Sequence, residues 1–227
     1  MKNKIALLLL SVMAALPILA AELTCQPVVF RKTARKALES RLRDCPEKNA
    51  QRYEKLKELF KAAGCSEDRL SEQPVRGFRD PNVIAVLPGE SESTILIGAH
   101  FDNESNGHGV IDNWSGAVML PTLYESLKSD PRRHTFIFIG FTAEESGLKG
   151  SNHYARHMTG EQIGRTRAFI NLDCLGLATM AIFMLSADKK LSDMLADMAA
   201  AVKLPLRYST RQAAAGTRIL SAAKYPK

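Results

Sequence analysis

Thr94-Ile95-Leu96-Ile97-Gly98-Ala99-His100-Phe101-Asp102 is the stretch on which the fold turns. An uncharged, partly β-branched run of this length reads as a strand buried on both faces. It stops abruptly at an imidazole and a carboxylate. The same texture recurs on either side. Residues 135–141 run into Thr142-Ala143-Glu144-Glu145, and residues 168–172 run into Asp173. Residues 83–87, closed by Pro88-Gly89, and the weaker 182–185 read as further strands. Between them the spacing predicts helices over 115–129, 151–158 and 191–202, with Pro121 expected to kink the first or delay its start. Strands separated by helices predict an α/β fold with the sheet covered on both faces.

Upstream the texture differs. Residues 22–72 are charged and helical in pattern, with Tyr53, Leu56, Leu59 and Phe60 on one face and Gly64 as the stop. They are expected to form an N-terminal helical region of the same domain as residues 73–227. Residues 1–21 read as a signal peptide: Lys2 and Lys4, an apolar stretch from Ile5 to Leu19, then Ala20-Ala21 before Glu22. The stretch is short for a membrane span, so the expected location is secreted or periplasmic, with no stable membrane span. Export makes a disulfide between two of Cys25, Cys45 and Cys65 plausible without choosing the pair, whereas Cys174 reads as a small buried residue. The formal charge of +7 is scattered, with no basic run interleaved with aromatics. That argues against a nucleic-acid partner.

In open α/β sheets, sites form at the carboxyl ends of strands. His100, Asp102, Glu144, Glu145 and Asp173 all follow strands, and Asp112-Asn113 opens a helix. Each has a plainer reading by itself. His100 could be a hydrogen-bonded core histidine, Asp112 a helix cap, Asp173 a turn residue, and Glu144-Glu145 a solvated pair. Those readings would have to coincide four times, so one shared rim is the better account.

Gly98-Ala99-His100-Phe101-Asp102, Asp112-Asn113-Trp114-Ser115-Gly116-Ala117, Phe141-Thr142-Ala143-Glu144-Glu145-Ser146-Gly147-Leu148-Lys149-Gly150-Ser151 and Asn171-Leu172-Asp173-Cys174-Leu175-Gly176 together resemble the secreted co-catalytic, two-zinc aminopeptidases of the bacterial leucyl aminopeptidase type. Their superfamily also includes glutaminyl cyclases. The resemblance runs from about Asn82 to Gly176. It implies a three-layer αβα, zinc exopeptidase-like fold with a mixed, mostly parallel central sheet. It also implies a peptide substrate and two zinc ions. His100 and Asp173 would bind one ion, Glu145 the other, and Asp112 would bridge them. Glu144 would be the general base, and Asp102 would orient the His100 imidazole.

One departure stands out. The family pattern has a further late histidine as ligand to the ion that Glu145 binds, and no histidine follows Asp173 here. His108, in Gly107-His108-Gly109, is the least implausible replacement. His153 and His157 share a helical face and read as a surface pair, and His134 is expected to face solvent. The sequence reading is a C-terminally truncated copy, interrupted near residue 211, lacking the last strands of its sheet and having little activity. Two other readings stay open: an inactive homologue serving as a binding module, and a one-zinc glutaminyl cyclase type.

Overall fold

The apolar runs become neighbouring strands in the computed structural model, which describes residues 33–104, 107–183, 187–209 and 218–221. Residues 1–21, Cys25, Leu185 and most of the segment after Thr210 lie outside the described residues, and with them the export-signal reading. In chain order the elements are α1 (Arg35–Arg43), α2 (Asn49–Ala62), β1 (Leu70–Gln73), β2 (Asn82–Leu87), β3 (Thr94–His100), α3 (Ser115–Leu127) and β4 (Thr135–Phe141). There follow α4 (Lys149–His157), α5 (Gly160–Arg165), β5 (Thr166–Asp173), β6 (Ala181–Phe183), α6 (Lys189–Ala201), β7 (Arg207–Ser209) and β8 (Arg218–Ser221).

The eight strands among the described residues form one mixed sheet in the order β1-β2-β4-β3-β5-β8-β6-β7. At its centre β4, β3 and β5 are parallel neighbours, with His100 opposite Phe141 and Gly98 opposite Asn171. Their carboxyl ends therefore lie side by side. β1 and β2 pair antiparallel on one side, and β8 runs antiparallel to β5 on the other. β6 then pairs parallel with both β8 and β7.

Strand alternation sorts the core into two layers. Val83, Ala85, Leu87, Ile97, Ala99 and Phe138 pack with Leu56 and Phe60 of α2 and with Ala117, Val118, Leu120 and Tyr124 of α3. On the opposite face Leu96, Ile139 and Phe141 meet Tyr154 and Met158. This is the expected three-layer arrangement, built on a sheet whose central strands are parallel.

Several elements differ from their expectation. The region before residue 73 is not helical throughout, because Leu70–Gln73 forms an edge strand. α3 runs through Pro121 from Ser115 to Leu127. The missing N–H there is tolerated because α3 is packed along its length, with Val118, Leu120 and Tyr124 almost fully buried. α5 was not expected, although the Thr159 hydroxyl and Gln162 side chain form a reciprocal cap at its start. The short strands β7 and β8 are additions too. They extend the sheet past β5, so its edges among the described residues are β1 and β7. Gly64, at φ +90, closes α2 as the sequence predicts. Cys45 and Cys65 are not bonded to each other, and Cys174 is a buried thiol. No helix among the described residues is long and apolar enough to cross a membrane.

Candidate metal centre

His100 ends β3, Asp173 ends β5, and Glu144 and Glu145 follow β4 by three and four residues. The parallel register brings all of these to one rim. Asp112 reaches it from an irregular turn over Val110–Trp114, whose backbone is non-helical at Asp112 and Asn113. The cap of α3 is Trp114 and makes no side-chain capping bond, so Asp112 is not a helix cap.

The loops are fixed by buried polar side chains. Asn113 is fully buried; its Oδ1 accepts from the N–H of Gly116 at 3.0 Å and of Cys174 at 3.2 Å, and its Nδ2 donates to the Leu172 carbonyl at 3.0 Å. Ser115 adds a second stitch, accepting from the Leu175 N–H at 2.8 Å. Together they join the start of α3 to the end of β5. Gly116 is required by this closeness, since a Cβ there would lie 2.5 Å from Asn113 Oδ1 and 2.6 Å from the Leu172 carbonyl oxygen. Asn82, at the start of β2, accepts from Thr142 N–H at 3.1 Å and donates to the Gly150 carbonyl at 3.0 Å, holding both ends of the Glu144–Glu145 loop. Ala143 (φ 53) and Cys174 (φ 51) take left-handed conformations beside Glu144 and Asp173. For residues with a Cβ this costs roughly 1–2 kcal/mol each.

Asp102 does more than the sequence suggests. Its carboxylate faces His100 Nδ1 at 3.5 Å. It also accepts the backbone N–H of Glu144 at 3.0 Å and of Glu145 at 3.2 Å, so it anchors the acidic loop as well as facing the imidazole. Arg52 of α2, also fully buried, escaped the sequence reading. Its guanidinium donates to the carbonyls of Phe101 at 3.1 Å, His108 at 2.6 Å and Pro46 at 2.9 Å, tying α2 beneath the loop that leads to Asp112.

On the opposite ring edge, His100 Nε2 lies 3.1 Å from Asp112 Oδ1, 3.8 Å from Asp173 Oδ1 and 3.9 Å from Glu144 Oε2. Burial alone would lower the pKa of this ring. Asp102, Asp112, Asp173 and Glu144 outweigh it and push it up to about 12. Glu145 is pushed up to about 7, first by burial and then by Asp112 and Glu144, against the opposing pull of His100. Glu144 is raised as well, by burial and by Asp173, Asp102 and Asp112, with His100 opposing.

The donor set fits a metal ion. His100, Asp112 and Asp173 can bring ligand atoms within 4.8 Å of one another, and so can His100, Glu144 and Glu145. Imidazole nitrogen and carboxylate oxygen are both zinc ligands. A site that drives a histidine to about 12 and a glutamate to about 7 carries an excess of negative charge that a cation relieves.

The other histidines stand apart. His108 is 81% exposed and faces Glu47 at 4.0 Å. His153 and His157 stack on α4. His134 is half-buried rather than solvent-facing, because its Nδ1 meets the Ser93 hydroxyl at 2.6 Å. Among the described residues, only His100 belongs to a cluster that could hold a metal.

Several known proteins are similar to this chain. Leucine aminopeptidase 2 of Trichophyton rubrum is 32% identical over 101 residues, covering 44% of this chain and 20% of that protein. Aminopeptidase YwaD of Bacillus subtilis is 33% identical over 104 residues, covering 46% of this chain and 22% of its own length. The chain thus spans about a fifth of the length of these curated relatives. Among solved structures, the Legionella pneumophila LapA aminopeptidase superposes with a TM-score of 0.64 at 19% identity, covering 88% of this chain and 67% of that one. An Acidobacteriales bacterium glutaminyl cyclase gives 0.65 at 16% identity, over 82% of this chain and 77% of its own. At these identities the two structures share the fold. The model of peptidase family M28 matches residues 82–219, past the last motif at Gly176 and into β8. With that match over most of its length, the chain belongs to peptidase family M28.

Proposed function

We propose that this protein is a zinc-dependent aminopeptidase that hydrolyses N-terminal residues from peptides. The observation that carries the reading is the convergence of His100, Asp112, Glu144, Glu145 and Asp173 on the carboxyl ends of three parallel strands. The relatives named as aminopeptidases support it.

In this reading His100 and Asp173 would hold one zinc ion and Glu145 a second, with Asp112 available to both. Zinc supplies positive charge that polarises a peptide carbonyl and acidifies water. Glu144 accepts the proton of the attacking water and returns it to the leaving amine as the peptide C–N bond breaks. Burial and the surrounding carboxylates raise its pKa towards the range a general base needs, with His100 opposing. Asp102 positions Glu144 and Glu145 through their backbone N–H groups. Among the described residues no imidazole besides His100 joins such a cluster, so two ions would bind unequally. We also assign residues 1–21 to export, and the N-terminal helical region to the same domain as residues 73–227.

Zinc titration of the purified protein against a chromogenic chelator tests this reading. One tight and one weaker equivalent are expected, and His100→Ala should remove the tight one. Glu144→Ala should keep both ions yet slow leucine release from a chromogenic leucine anilide by about 10²-fold or more. Absence of zinc binding, or an undiminished rate in Glu144→Ala, would overturn it. A single equivalent with ammonia release from N-terminal glutamine would instead indicate cyclase chemistry.

A further inference from the structure

Away from the metal rim, α4 carries a second cluster. Lys149, Asn152, His153, Arg156 and His157 recur at the spacing of one helical face. Tyr154 points the other way, against the Phe141 ring, and Met158 packs into the same apolar layer. The outward stripe lines a cleft of about 260 Å³, and the loop after β1 closes it with Arg76 and Phe78.

A solvated helix face normally mixes charge signs, as α2 does where Lys55 and Lys57 pair with Glu58 and Glu54. α4 contains no acid, and none lines the cleft. Among the described residues, no carboxylate lies within ion-pair distance of Arg76, Lys149 or Arg156, whereas Arg165 of the next helix is paired with Glu92 and Glu161. The two imidazoles stack with centroids 3.9 Å apart, and His157 Nδ1 donates to the His153 carbonyl at 2.7 Å, which fixes that ring. Burial and the neighbouring His157 hold the His153 ring below its ordinary pKa, a shift that a bound anion would reverse. Uncompensated cations around a concavity focus positive potential, and guanidinium forks match the oxygens of phosphate groups. We propose that this cleft binds a phosphate-type oxyanion, presented either by a small phosphorylated molecule or by a lipid headgroup.

The test follows the imidazole resonances of the full chain by NMR during titration with inorganic pyrophosphate at near-physiological salt. In parallel, the chain is sedimented with phosphatidylcholine vesicles with and without phosphatidic acid. Saturable shifts of His153 and His157 are expected, or co-sedimentation only with the acidic vesicles. Either should weaken at least tenfold in the exposed double variant Arg76→Ala/Arg156→Ala, whose thermal unfolding should match the parent. No saturable response from either probe overturns the proposal. So does a response confined to His100, which would place the anion at the metal rim, and so does binding that survives the double variant.

Discussion

Asp102 accepts two backbone N–H groups of the acidic loop and faces His100 from behind. Asparagine at this position would keep the shape but turn one acceptor oxygen into a donor. One of the two N–H groups would then be left without an acceptor, at a cost of about 1–3 kcal/mol. Urea unfolding of Asp102→Asn should show a loss in that range, and a loss under about 0.5 kcal/mol would mean that the loop does not depend on this carboxylate. The ligand candidates are legible in the sequence because each breaks an apolar run at its end or opens the segment behind it. Arg52 is not legible. In Asn49-Ala50-Gln51-Arg52-Tyr53-Glu54 it reads as part of a solvated helix face, and its carbonyl partners at Phe101 and His108 lie far along the chain. Asn113 is hidden for the same reason, since its bonds at the end of β5 become visible only once β5 lies beside α3.

At the scale of elements, α2 is bound to the sheet by a few fully buried side chains. Phe60 has no exposed surface and sits among Tyr124 and Phe138, with ring centroids 6.1 and 6.4 Å away. Phe60→Ala should cost about 3–5 kcal/mol in chemical unfolding, a large share of the ~5–15 kcal/mol typical of a domain. A cost below about 1 kcal/mol would show that α2 is not part of the core. Strands β2 to β5 can be read directly because each is an apolar run, and burial enforces that. β1, Leu-Ser-Glu-Gln, cannot: it is an edge strand with its two middle residues exposed, held to β2 by backbone pairing that leaves no apolar pattern. β7 and β8 are too short to display a period. α5 announces itself only through Thr159 and Gln162, a signal that carries little weight for a helix of six residues.

For the molecule as a whole, zinc and protons should compete. With its pKa raised from 6.5 to about 12, metal-free His100 is protonated at neutral pH. Its ion pairing stabilises the fold fully below the unfolded value of 6.5 and is lost as pH rises through about 12. On the proposed reading zinc would take the neutral ring, so its binding would expel that proton, and Glu145, near 7, would give up a further fraction. Zinc at 100 times its dissociation constant should stabilise the fold by about 2.7 kcal/mol. At fixed zinc the rise in thermal midpoint should be larger near pH 8 than near pH 6. A pH-independent rise would show that no proton leaves. The order of strands also governs how the molecule is made. β8 lies between β5 and β6, so the strand synthesised last among those described is the one that joins the two parts of the sheet. Until residue 221 has left the ribosome, β5 lacks its strand neighbour on that flank, and β6 and β7 lack a strand linking them to the rest of the sheet. Assembly of this side of the sheet therefore waits for β8, and the nascent chain depends on being kept from pairing with other chains until then.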